Sequence, residues 1–463
     1  MIQKIKGNSV QSLNRANLSK SCSLNAVATN PIPQGNLAQI PKASVVNQPN
    51  TTLNEAQKQK YLYLLDFLKN TPKSPNSPEL TPFGQLDLLL KNGKLLSKSN
   101  HDNSTVLDNL YEIATTPRAQ GFDKNILITG VLDVLSNSGI VTQTFGDIPV
   151  QIQKQVLDAA PDDSPVKKNP QTMNVVNSGT CPAASLEVNM ANNYPAELAR
   201  WINKLTGESK TVQLNVDLKA ISKNPLEAMN ILNLLKADKI GVNFNKAKVQ
   251  IKLDKDAHIR ACIQSQYWDQ GERTPVDVII QSAIMELGSQ NTYDALSDTR
   301  AGEFSSNPQG LIELEKTFAE TMIKNKEITS LVYQQIDDNQ NLVGYNCSMD
   351  KIAKHITDTI DSGDNVILGY VLTNETAGLT SNPNYNPAVD GPKNKVINGH
   401  EITIVDYYKD DKGKYVFICV DTDDDSPQLV QYSADWLLPK IHHAGYPAKL
   451  VEADEKTIMA YAN

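Results

Sequence analysis

Two apolar runs late in the chain, "HEITIVDYY" and "YVFICVDT", are joined by the short polar stretch "KDDKGK". Both runs are rich in β-branched and aromatic residues, and Gly413 suits a tight turn, so the segment reads as a β-hairpin. Strands joined this closely pair antiparallel, and their register fixes which side chains share a face. A turn centred on Asp411 and Lys412 sets Lys409 opposite Lys414 and Tyr408 opposite Tyr415. His400 then falls opposite Asp423, with Asp421 its diagonal neighbour on the same face, while Asp424 points away. Asp421 directly follows the apolar run, so it is expected to be better buried and better fixed than Asp423.

Upstream, the periodicity is helical. "EAQKQKYLYLLDFLKN", "TPFGQLDLLLKNGKLLSK", "STVLDNLYEIATT", "DKNILITGVLDVLSNSG" and "DIPVQIQKQVLDAAPDD" repeat apolar residues at helical spacing, several opened by Ser, Asp or Pro. We assign residues 55–160 to a helical domain and residues 1–54, rich in Asn, Gln, Ser and Pro, to a disordered tail. Two strand-like segments around residues 210–260 flank a helix. "NVILGYVL" then leads into the hairpin, and "SADWLLPKIHHAG" is expected to close the chain as a last helix. Helices early and paired strands late make the class α+β.

The formal charge is −8, and Lys and Arg are scattered rather than clustered, which argues against a nucleic-acid partner. No run approaches the ~20 apolar residues a spanning helix needs, and no apolar segment of signal-peptide type opens the chain. The sequence leaves oligomeric state and location open. Five cysteines, Cys22, Cys181, Cys262, Cys347 and Cys419, form no disulfide pattern.

One of them stands out. In "SGTCPAASLE", Thr180 or Cys181 caps a helix and Pro182 fits its first turn. The N-terminal end of a helix carries partial positive charge and unpaired N–H groups, which favour a thiolate and can hold an oxyanion. A nucleophilic cysteine needs a base, and the base an orienting acid. Of the six histidines, His400 opens a strand after a polar loop, and Asp421 follows from the register. His101, His355, His442 and His443 read as surface or packing residues. His258 and Cys262, four apart, lack a second ligand pair, and "DTDDD" lacks the glycine and glutamate of a calcium loop, so no metal or cofactor is expected.

These residues, in this order and context, resemble the papain-like cysteine peptidase superfamily: a Cys opening a helix, a Gly-His on a strand ("NGHEITIVDYY"), and a following strand ending in an acid. The resemblance implies a catalytic domain over 170–463. It would be two-lobed, with Cys181 on a helical lobe, His400 and Asp421 on an antiparallel β lobe, and an insertion at about 205–330. The glutamine usual before the nucleophile and the tryptophan after it are missing. Asn174 or Asn177 is left as oxyanion donor, Asn174 preferred, with Gln171 more distant. The implied activity is hydrolysis of peptide bonds in a protein or peptide through a Cys181–His400–Asp421 triad. Transglutaminases, deamidases and arylamine acetyltransferases use the same residue order. A non-enzymatic interaction protein is the third alternative.

Overall fold

The computed structural model describes residues 51–144, 150–170, 179–243, 245–268, 272–301, 310–423 and 428–451. The class is α+β. The early helices form where their caps dictate. Asn54 and Gln57 close a capping box on the helix Glu55–Leu68, and Thr105 and Asp108 close another on Val106–Thr115. Thr81 caps Pro82–Lys91, and Asp123 caps Lys124–Ser136.

The described strands are β1 (Thr211–Asp217), β2 (Asp238–Val242), β3 (Lys246–Lys252), β4 (Ile328–Val332), β5 (Gln334–Ile336), β6 (Leu342–Tyr345), β7 (Val366–Thr373), β8 (Val396–Lys409), β9 (Tyr415–Asp421), β10 (Gln428–Ser433) and β11 (Ile441–Pro447). Six of them build one antiparallel sheet in the order β10-β9-β8-β7-β11-β4. Apolar side chains alternate across it. Ile367 and Val420 face a mainly helical core, with residues from Leu64 to Ile323, that also takes in β1 and β3. Leu368, Ile402, Ile404 and Cys419 face a second core, with Ile352 and Ile356 of the helix Met349–Asp361.

The larger core is continuous. It takes in Leu110 and Val131 from the early helices, Ala183, Leu186 and Met190 from the helix Cys181–Asn193, and Val249, Ile280 and Met322 from the segment between that helix and β4. Gly130 lies so close to the helix Pro275–Gly288 that a Cβ there would meet Val276 at 2.7 Å. The early helices and the segment 205–330 therefore pack as one body with the cysteine helix.

Two expectations differ from what forms. The stretch "SADWLLPKIHHAG" holds only a short helix, Ala434–Leu437, and one 3-10 turn, Leu438–Lys440. Pro439 offers no N–H to continue a helix, and the following residues become β11, paired with β4 on one side and β7 on the other. His442 and His443 are thus buried strand residues. At the hairpin, Lys409 pairs with Tyr415 and Tyr408 with Val416, one residue out from the expected register. The loop runs through Gly413 at φ 76°, with the Asp410 carboxylate accepting from the N–H groups of Lys412 and Lys414. Val405 is then one extra residue on β8, a bulge between Ile404 and Asp406. Beyond it Ile404 pairs with Cys419 and Thr403 with Val420, which is the expected register.

Candidate active site

Cys181 is the first residue of the cysteine helix, Cys181–Asn193, and is partly exposed. Thr180 precedes it as the cap residue but makes no side-chain cap bond. Its hydroxyl, buried, donates to Gln281 Oε1 at 3.3 Å and accepts from Arg273. The helix leans on β8, where Thr403 Oγ1 donates to the Ser185 carbonyl at 3.1 Å. By contrast, burial pushes the Cys262 thiol up to about 11 and the Cys419 thiol well above its ordinary value. Both therefore stay protonated at neutral pH.

His400 lies within β8, opposite Tyr370 of β7, its side chain 6% exposed. Its Nε2 is 2.7 Å from Asp421 Oδ1 at the end of β9. Its Nδ1 is buried and bonds no nitrogen or oxygen; the Cys181 sulfur lies near enough to act on the ring both as a side-chain hydrogen-bond partner and by charge. Burial alone would lower the imidazole's pKa. The Asp421 carboxylate, by charge and hydrogen bond, and then the Cys181 sulfur outweigh it and raise the pKa well above 6.5.

Asp421 is held in turn. Burial opposes its charge, but the His400 imidazole keeps the carboxyl below its usual range. Oδ1 also accepts from the Asp423 N–H at 3.2 Å, and Oδ2 accepts from the Tyr432 hydroxyl at 3.1 Å. Tyr432 stacks on Trp436 with centroids 4.5 Å apart. Trp436 meets Tyr370 edge-on, and Tyr370 meets the His400 ring at 5.8 Å and 88°. Three aromatic rings from β7, β10 and the short helix Ala434–Leu437 thus wall the imidazole–carboxylate pair.

A hydrogen-bond chain fixes the cysteine helix to the end of β9. Thr180 Oγ1 donates to Gln281, Gln281 Nε2 donates to the Thr142 carbonyl at 2.9 Å, and Thr142 Oγ1 donates to the Thr422 carbonyl at 3.2 Å. Gln143 adds its own N–H to the Thr422 carbonyl at 3.0 Å and its amide to Asp423 at 2.7 Å. The residue before the thiol is so connected, through buried groups, to the residue after the acid. Deeper along the cysteine helix, Glu187 accepts from Gln281 at 2.9 Å. Burial first, then the charge of Asp277, raises its carboxyl well above the ordinary value. Asp277 itself is raised to about 6, again by burial.

The structure thus brings Cys181, His400 and Asp421 to one place. Asn174, with Asn177 and Gln171, lies outside the described residues. Sequence reasoning did not find Tyr432, Trp436, Tyr370, Gln143 or Gln281. Each acts across strands or between distant segments, and no local spacing marks them. His101 packs between the carbonyls of Asn215 and Ile323, and His355 bonds Tyr333. Among the described residues, one group offers convergent metal-ligand atoms, Glu313 with His442 and His443. No family model, no curated protein and no solved structure matches this chain.

Proposed function

We propose that the protein is a cysteine peptidase, a divergent relative of the papain-like enzymes, acting through Cys181, His400 and Asp421. One observation carries the reading. His400 commits one ring nitrogen to Asp421 and leaves the other buried, with no partner but a sulfur at a helix N-terminus. A carboxylate-held imidazole facing a thiol is what a nucleophilic thiolate requires.

In this reading the Cys181 sulfur attacks an amide carbonyl carbon, and a sulfur–carbon bond forms as the carbonyl electrons move to oxygen. Backbone N–H groups at the start of the cysteine helix stabilise that oxyanion. The tetrahedral species collapses and the carbon–nitrogen bond breaks. His400 gives its proton to the leaving amine, then takes one from water as the hydroxide resolves the thioester. Asp421 keeps the ring oriented and stabilises its charged form. The two-lobed division of the family is supported by the site's make-up: the thiol comes from the helical body, and the imidazole and acid from the antiparallel sheet.

The test is wild type against Cys181→Ala on denatured proteins and peptide pools, with products read by mass spectrometry. New termini with wild type and none with the variant are expected. Turnover unchanged in the variant overturns the mechanism. Glutamine modification without chain cleavage would assign the same residues to a deamidase or transglutaminase.

A further inference from the structure

On the sheet face opposite His400, a second constellation forms around β11. The bulge that sets Ile441 opposite Tyr370 but His443 opposite Gly369 leaves His442 as an extra residue on its strand. Neighbouring strand residues ordinarily point to opposite faces; a bulge re-aims one of them. Here it brings the two imidazoles together, with their Nδ1 atoms 3.0 Å apart. Glu313, in the first turn of the helix Glu313–Lys324, places Oε1 3.4 Å from His442 Nδ1 and 3.2 Å from His443 Nδ1.

These separations have a meaning. A tetrahedral ion ~2.0–2.1 Å from nitrogen and oxygen donors sets donor–donor edges of about 3.3 Å. The three atoms already form such a triangle. His443 Nε2 lies 2.8 Å from Glu401 Oε1, and Lys316 Nζ lies 3.4 Å from Glu401 Oε2. That acceptor fixes the His443 proton on Nε2. With that proton on Nε2, the neutral ring turns its Nδ1 lone pair toward His442 and Glu313. An imidazole whose far N–H is held by a carboxylate is the usual arrangement behind a metal-bound histidine. The slot for this ring is built in: a Cβ on Gly369 would lie 2.3 Å from His443 Cε1. Glu313's side chain is 24% exposed, which leaves water a route to a fourth position.

We propose that Glu313 Oε1, His442 Nδ1 and His443 Nδ1 bind a divalent transition-metal ion of the zinc class, clasping the helix Glu313–Lys324 to β11. Two imidazoles and one carboxylate suit that class. The proposal does not depend on the peptidase reading.

The test uses the tag-free full-length chain in a Cys181→Ser background, so that the thiol–imidazole site cannot bind the ion as a thiolate. After chelator treatment, Zn2+ is titrated calorimetrically into the parent, His442→Ala and Glu313→Gln, with circular dichroism checking the fold. One equivalent binding at low-micromolar Kd or tighter is expected, weakened about 100-fold or more in each variant. Zn2+ should raise the melting temperature of the parent alone. Glu313 is partly exposed, so Glu313→Gln carries the result should His442→Ala fail to fold. No binding by the parent, or undiminished binding by a folded variant, overturns the proposal.

Discussion

His400 and Asp421 meet at 2.7 Å because β8 carries one residue too many. Had the pairing that leaves the turn, Lys409 with Tyr415, run on unbroken, Asp424 would face His400 and Asp421 would turn to the other side of the sheet. The extra residue, Val405, shifts the ladder by one and puts the side chain of Asp421, not Thr422, on the imidazole's face. A defect in the ladder therefore assembles the pair.

The Asp421 charge holds His400 protonated, so Asp421→Asn should lower the His400 pKa and cut kcat/KM by ~10²–10⁴-fold. The alkaline limb of the pH–rate profile should move to lower pH. Stability should follow the same pair. The raised His400 value contributes fully below the free value of about 6.5 and is lost as pH rises through the folded value. The lowered Asp421 value contributes above about 3.9 and is lost as pH falls through its folded value. The wild-type advantage over Asp421→Asn in thermal melts should be largest between about pH 4 and 6.5.

Tyr432→Phe removes one donor to the Asp421 carboxylate and leaves the stacking area on Trp436. A hydrogen bond to a charged group contributes about 1.5–3 kcal/mol. The kcat should fall about tenfold with KM little changed, as steady-state kinetics will show. A fall in kcat/KM through KM alone would place Tyr432 in substrate binding instead.

Glu187 sits on the nucleophile's helix with its carboxyl raised, so folding binds a proton that the unfolded chain releases. That contribution is present below the free value of about 4.3 and is lost as pH rises through the folded value. Glu187→Gln should be near-neutral at pH 4. Above that, its stability relative to wild type should increase by up to about 1.4 kcal/mol per pH unit until the folded value is passed. Urea unfolding at a series of pH values measures it.

Gly369→Ala should destabilise the sheet by on the order of 1–3 kcal/mol, since the added methyl overlaps the His443 ring and must displace it from Glu401. Chemical denaturation reads the loss. A neutral substitution would mean that the His443 ring does not occupy that slot.

Much of this was legible in the sequence. The hairpin followed from period-two apolar runs around Gly413, and the helix start at Cys181 from Thr180 and Pro182. The Asp421 choice came from a straight ladder; the real one has a longer loop and a compensating bulge, and the two departures cancel at the site. β11 was not legible. "KIHHAGYP" has no alternation of its own, because its backbone is paired on both sides and its side chains are buried on both faces. The Thr180–Gln281–Thr142–Thr422 chain joins four distant segments, so no spacing could announce it.

The central claim is that the Cys181 sulfur and the His400 imidazole work as a pair. The rate of iodoacetamide alkylation at Cys181, followed by peptide mass spectrometry at neutral pH, tests it most directly in wild type and in His400→Ala. The pairing requires Cys181 to react at least ~10-fold faster than the buried Cys419, and to lose that advantage when the imidazole is removed. A Cys181 rate unchanged in His400→Ala would contradict it.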